Sequence, residues 1–186
     1  TGSYVYIAFN PLLTDISALS NIQTIGLGFP SGSLTISHNN SLTSINGLNA
    51  LTYVEGFCAI GSNSALTSLS GLSNLQTVNG NFELTNNVAL TSLNGLESLN
   101  SIGGELAITN EFSLTSLSAL GSLTIGGDLG IASNPLLSDC AAQGICDYLA
   151  NPSGNITISG NAQGCQNLIQ VEMACGLLPV ELIAFD

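Results

Sequence analysis

No lysine and no arginine occurs in the 186 residues, which carry 12 aspartates and glutamates and a single histidine, for a formal net charge of −12. That absence removes whole classes of partner. Nucleic acid needs basic side chains to neutralise its phosphates, so it is excluded. An anionic membrane surface is excluded for the same reason. Within the chain, ion pairs have no side-chain cation to use apart from His38 when it is protonated. Stability must come from burial, backbone ladders and covalent links. Trypsin has no site to cut. This fits drift in an acidic secreted protein or selection for protease resistance outside the cell.

Other shortages narrow the class further. Charged residues make up 6% of the chain, against roughly 25% in ordinary globular proteins. Disorder does not follow, because 45% of the residues are hydrophobic and leucine and isoleucine abound. No apolar run reaches the roughly 18–20 residues of a membrane helix, so membrane insertion is not expected. No basic start precedes an apolar stretch. The opening TGSYVYIAFN already reads as a repeat strand, as in a mature or partial chain. Gly-x-Ser-x-Gly elbows, phosphate loops, CxxC pairs and Asp-x-Asp-x-Asp-Gly calcium loops are all missing. Catalysis needs convergent groups of tuned acidity. With one histidine and no cation, the chain is read as a non-enzyme without cofactor or metal.

What is present is repetition. LTSLSGLSNLQTVNGNFELTNNVALTSLNGLESL, from Leu66 to Leu99, says nearly the same thing twice. The leucine opening each such phrase recurs at Leu13, Leu42, Leu66, Leu90, Leu114 and Leu137, at steps of 29, 24, 24, 24 and 23. Three residues before it stand Asn10, Asn39, Asn63, Asn87 and Asn134, with Glu111 the exception and Asn161 continuing the column. A fixed period of this length is the mark of a solenoid.

Each unit divides into two patterns. An alternating piece such as Phe82-Glu83-Leu84 has period two and reads as a short strand. Its equivalents include Val5 and Ile7, Leu34 and Ile36, Cys58 and Ile60, Leu106 and Ile108, Leu129 and Ile131, and Ile156 and Ile158. Leucines at every third position, as in Leu90, Leu93, Leu96 and Leu99, fit neither helix nor flat strand. They are read as short extended arcs that turn a corner at each step. Recurrent glycines at Gly47, Gly71 and Gly95 serve the corners by positive φ or by close backbone approach. One coil cannot bury its own apolar face, so the coils stack into columns of leucine. The asparagines are expected to hydrogen-bond neighbouring turns as a ladder.

Leu-x-x-Leu…Leu-x-Leu-x-x-Asn-x-x-Leu resembles the leucine-rich repeat. GNFELTNN and GGELAITN, with the LTSLSGLSNL arcs, are closer to the receptor L domain. The resemblance covers about residues 4 to 140. It implies an all-β, right-handed parallel β-solenoid of about seven rungs, with a small disulfide-bonded, helix-containing C-terminal cap in this chain. The domain reading is a solenoid over 1–137, a cap with the last rung over 138–176, and a linker over 177–186 toward a further C-terminal domain. The tail LLPVELIAFD resembles the segment that leads into the sorting domain of Bacteroidetes proteins exported by the type IX secretion system. The cap sequence is similar to caps on L-domain-like proteins of that group. Both resemblances imply an extracellular or surface-attached protein.

In the cap, SDCAAQGICDYLANP is expected to form a helix with Ser138 or Asp139 as N-cap and Pro152 beyond its end. CQNLIQVEMACG reads as a second helix closed by Gly176. Cys140, Cys146, Cys165 and Cys175 fall within 36 residues, which suggests two disulfides. Spacing does not choose among the possible pairings; Cys140–Cys165 with Cys146–Cys175 is the favoured one. Cys58 occupies a core column and is read as a buried free thiol.

Few surface features suggest a site. His38 is read as a solvated residue in a column whose other members, Phe9, Ser62, Asn86, Asn110, Ser133 and Gly160, share no common role. Glu83, Glu105 and Asp128 are read as a solvated edge. Thr14, Thr43, Thr67, Thr91 and Thr115 form a candidate surface column. Three functions remain open. The first is an extracellular module for adhesion or recognition of a protein or glycan at a cell surface. The second is a self-assembling subunit of a surface fibre or sheath, with an open first rung at Tyr4. The third is ice binding through the threonines.

Overall fold

The computed structural model describes residues 4–28 and 32–179. Along the chain run β1 (Tyr4–Ala8), β2 (Thr24–Ile25), β3 (Ser33–Ser37), β4 (Tyr53–Val54), β5 (Cys58–Gly61) and β6 (Thr77–Val78). They are followed by β7 (Phe82–Thr85), β8 (Ser101–Ile102), β9 (Leu106–Thr109), β10 (Thr124–Ile125) and β11 (Leu129–Ala132). The cap contributes α1 (Gln143–Ala150), β12 (Ile156–Ser159) and α2 (Leu168–Ala174). A seven-stranded parallel sheet has the order β1-β3-β5-β7-β9-β11-β12, and a five-stranded parallel sheet of two-residue strands the order β10-β8-β6-β4-β2. Each circuit of the chain through both sheets therefore adds one strand to each, with an apolar core between them.

The alternation of the strands sets their facing. In β7, Phe82 and Leu84 are buried while Glu83 and Thr85 are half-exposed, and β9 and β11 repeat the pattern. The inward column Leu34, Cys58, Phe82, Leu106, Leu129 is essentially inaccessible. Cys58 sits beside Phe82 in register, so a small side chain makes room for the largest fully buried one.

The period-three leucines are not extended arcs throughout. Ser17–Leu19, Asn46–Leu48 and Ser70–Leu72 are single 3₁₀ turns. With three residues per turn, a 3₁₀ helix puts every third side chain on the same side, which is how Leu66, Leu69, Leu72 and Leu75 all reach the core. The glycine column is required by proximity more than by torsion. A Cβ on Gly71 would lie 1.9 Å from the Ile45 carbonyl oxygen of the rung before it, and one on Gly47 would lie 1.9 Å from that of Ile16. The five-stranded sheet escaped the sequence reading, because a two-residue strand is too short to show alternation.

In the cap, α1 begins at Gln143 with Ala142 in the N-cap position and no side-chain cap, later than the Ser138 or Asp139 start expected. Those two residues still belong to the coil: Ser116 and Asp139 form a parallel bridge, and the Leu117 N–H donates to the Asp139 carbonyl. The ladder hydrogen bonds engage their backbone before a helix can. The N-cap of α2 is Asn167, whose side chain accepts from the Gln170 N–H, and Gly176 beyond its end has φ +72°. Disulfides join Cys140 to Cys165 and Cys146 to Cys175, with Cα–Cα distances of 5.8 and 5.3 Å. Of the tail read as a linker, residues 180–186 lie outside the described residues.

Candidate binding face

The asparagine column is brought together as a continuous ladder. The Asn39 N–H and Nδ2 both donate to Oδ1 of Asn63, at 3.1 and 3.3 Å, and Nδ2 also donates to the Ile7 carbonyl at 2.9 Å. The same arrangement joins Asn63 to Asn87 and to the Ile36 carbonyl, and Asn134 to Asn161 and to the Ile108 carbonyl. These side chains are buried from Asn39 to Asn161. Their polar atoms are spent on neighbouring rungs, so they build the face without offering groups to a ligand. Glu111 continues the ladder without the side-chain donor: Oε1 accepts from the Asn87 N–H and Nδ2, at 3.1 and 3.0 Å, and its backbone N–H donates to Asn134 Oδ1 at 2.9 Å. Its burial pushes the carboxyl above the ordinary carboxylate range, against the hydrogen bonds from Asn87.

The column of Phe9, His38, Ser62, Asn86, Asn110, Ser133 and Gly160 does have a common role, contrary to the sequence reading. All seven have φ between +55° and +68°. Each strand ends in a left-handed residue that swings the chain so that the next residue drops into the ladder. Asn86, Asn110 and Gly160 were the available signal, because asparagine and glycine tolerate this conformation. Phe9, His38 and the two serines concealed it. His38 is exposed, and its ring stacks on that of Phe9 at 4.5 Å between centroids.

The outward side of the seven-stranded sheet is flat and made of small groups. Thr35, Ala59, Glu83, Ala107, Gly130 and Thr157 stand in register along one row. Ser37, Gly61, Thr85, Thr109, Ala132 and Ser159 form the next. At the β1 end the row closes with aromatics: Tyr4, Tyr6 and Phe9 are 61, 67 and 66% exposed. Strand spacing makes the row about 29 Å long, and four residues of strand give it a width of about 13 Å. That is roughly 400 Å², about half of what one partner covers in a standard protein interface. A globular ligand would therefore also engage the rims, whereas an extended segment would fit the row alone.

The other candidate residues are dispersed. Glu83 is on the row itself, while Glu105 and Asp128 precede β9 and β11 on its rim. The Asn81 Oδ1 accepts from the Glu105 N–H, and Asp128 accepts from the Asn155 N–H at 2.8 Å. Among the described residues, no three His, Cys, Asp or Glu side chains converge as metal ligands. Thr14, Thr43, Thr67, Thr91 and Thr115 are exposed but lie outside both sheets. The hydroxyls of Thr67 and Thr115 donate to the carbonyls of Thr43 and Thr91, both at 3.3 Å, which ties them to neighbouring rungs. No helix among the described residues is long and apolar enough to cross a membrane.

The sequence matches the receptor L domain family over residues 29–137, more than half of the 186-residue chain. No curated protein and no solved structure matches it.

Proposed function

The chain belongs to the receptor L domain family, and on that premise we propose that it is a non-catalytic extracellular recognition module that takes a protein ligand on the outward face of the seven-stranded sheet. The observation that carries this reading is the face itself: outward rows of threonine, alanine, serine and glycine in strict register, interrupted by the single acidic Glu83, with exposed Tyr4, Tyr6 and Phe9 at the β1 end. Small side chains let a ligand approach the backbone closely, and exposed tyrosine and phenylalanine serve as anchors at interfaces. The two disulfides of the cap support an oxidising, extracellular setting. A net charge of −12 without one lysine or arginine favours neutral or basic partners.

The coil is right-handed with about seven rungs, since crossovers between parallel strands of one sheet are right-handed almost without exception. The division into a solenoid over 1–137, a cap over 138–176 and a linker over 177–186 belongs to this reading, as does surface attachment by a type IX route. Cell-surface adhesion is the role that suits this arrangement.

A second reading rests on β1, which stands at one end of the seven-stranded sheet among the described residues. An edge strand beside exposed aromatics suits a subunit that assembles with its own copies into a fibre or sheath.

The test is an array of extracellular proteins and glycans probed with the wild type and with Ala107→Arg, which plants a bulky side chain at the centre of the row. Binding to protein spots, weakened at least tenfold by the substitution, is expected. Binding to glycans alone, or binding that the substitution leaves unchanged, would overturn the proposal. Long regular fibres of the pure protein in negative stain would replace it with the second reading.

A further inference from the structure

We propose that Glu111 is held as a neutral carboxylic acid whose Oε2 hydroxyl takes the place of the asparagine amide, so that the solenoid carries one proton-operated joint between the rungs of β7 and β9. The ladder is built from residues that both accept and donate. Asn39, Asn63, Asn87, Asn134 and Asn161 each donate Nδ2 to the carbonyl of an inward strand residue one rung earlier, namely Ile7, Ile36, Ile60, Ile108 and Ile131. The strand register makes Leu84 the corresponding residue for Glu111.

An ionised carboxylate has no hydrogen to give that carbonyl. Glu111 is fully buried, and its Oε2 is the one buried side-chain polar atom without a hydrogen-bond partner among the described residues. A buried carboxylate oxygen with no donor to accept from is unfavourable. A proton on Oε2 gives Glu111 the donor that Nδ2 supplies on every other buried rung. Meanwhile Oε1 keeps the acceptor role that Asn87 requires.

No cation relieves the charged form. The side chains bonded to Glu111 on the rungs before and after it are Asn87 and Asn134, neither of which titrates. The acidic residues on or next to the adjoining strands, Glu83 in β7, Glu105 just before β9 and Asp128 just before β11, are at least partly exposed. Like charges there could only add to the preference for the neutral acid. Burial pushes the Glu111 carboxyl above its ordinary range, which agrees.

Linkage fixes the sign. The folded state keeps a proton that the unfolded chain releases above about pH 4.3. The joint's contribution is complete below that pH and is lost as pH rises through the folded-state value. Glu111→Gln replaces the hydroxyl with an amide and removes this dependence. The experiment compares thermal unfolding of wild type and Glu111→Gln from pH 4 to pH 9. Glu105→Gln, which removes one partly exposed carboxylate, is the control for the loss of a single charge, so the Tm difference of Glu111→Gln in excess of it isolates the joint. It is expected to be near zero at the acid end and to open to several degrees in favour of the variant through neutral pH. In a ¹³C-glutamate-labelled sample, the carboxyl resonance missing from Glu111→Gln is expected at the position of a protonated acid at pH 6. A Tm difference that does not change with pH, or a resonance typical of an ionised carboxylate at pH 6, would overturn the proposal. If Glu111→Gln does not fold, Glu111→Asn, the residue of the other rungs, takes its place in the same comparison. Failure of both to fold would also overturn it.

Discussion

Asparagine 63 offers the sharpest test of how the rungs are held. Its side chain makes four hydrogen bonds: Oδ1 accepts from the N–H and Nδ2 of Asn39, and Nδ2 donates to the Ile36 carbonyl and to Oδ1 of Asn87. Asn63→Ala removes all four at a site with no solvent access. The Asn87 oxygen keeps the N–H of residue 63 and the pairing of β3 with β5 keeps the Ile36 carbonyl engaged, but the Asn39 N–H loses its partner. Leaving one buried polar group unsatisfied costs about 1–3 kcal/mol. That is a substantial share of the roughly 5–15 kcal/mol stability of a typical domain. Urea denaturation with the disulfides intact, followed by circular dichroism, measures it. Ser64→Ala, at the exposed neighbouring position, is the control and is expected to stay within about 0.5 kcal/mol of wild type. If Asn63→Ala unfolds at the same urea concentration as Ser64→Ala, the asparagine ladder does not hold the rungs together, and the stacking must rest on leucine burial and the sheet hydrogen bonds alone.

Two further outcomes are expected. Burial, and after it the charge of Glu83, pushes the Cys58 thiol up to about 12, so iodoacetamide at neutral pH should modify it only as fast as the coil opens; rapid labelling of the native protein would contradict the packing described for β5. The cap disulfides close separations of 25 and 29 residues, worth about 3.5 kcal/mol each in chain entropy. The Cys146→Ser, Cys175→Ser double variant should therefore release α2 first and expose Glu172 to a glutamate-specific protease, while trypsin leaves the chain uncut in every state; protection of Glu172 equal to wild type would show that packing alone holds the cap.

How much of this was legible beforehand depends on the range of the interaction. The facing of Phe82 and Leu84, the inward leucines and the asparagine column follow from local periodicity. Identical rungs stack in one register, because any slip would bury Glu83 and expose Phe82. The proposed binding face was only half legible. Its small residues are unremarkable in any single strand and become a surface only when seven strands align them. Thr67 and Thr115 form a regular column in the sequence, but their hydroxyls are turned to carbonyls of the neighbouring rung.

By itself, then, the sequence determined the repeat and the inward columns, since these rest on residue type and short-range spacing. Tertiary structure alone decided the rest. It made three of the period-three leucine segments 3₁₀ turns, gave the His38 column its left-handed bend, added the five-stranded sheet, paired the cap cysteines and left Oε2 of Glu111 without a partner. The turns and bends are local, but side chains such as Phe9 and His38 do not advertise them. The sheet, the disulfides and the Glu111 contact depend on distances between rungs about 24 residues apart, and no pattern within a single rung encodes what the next rung places opposite it.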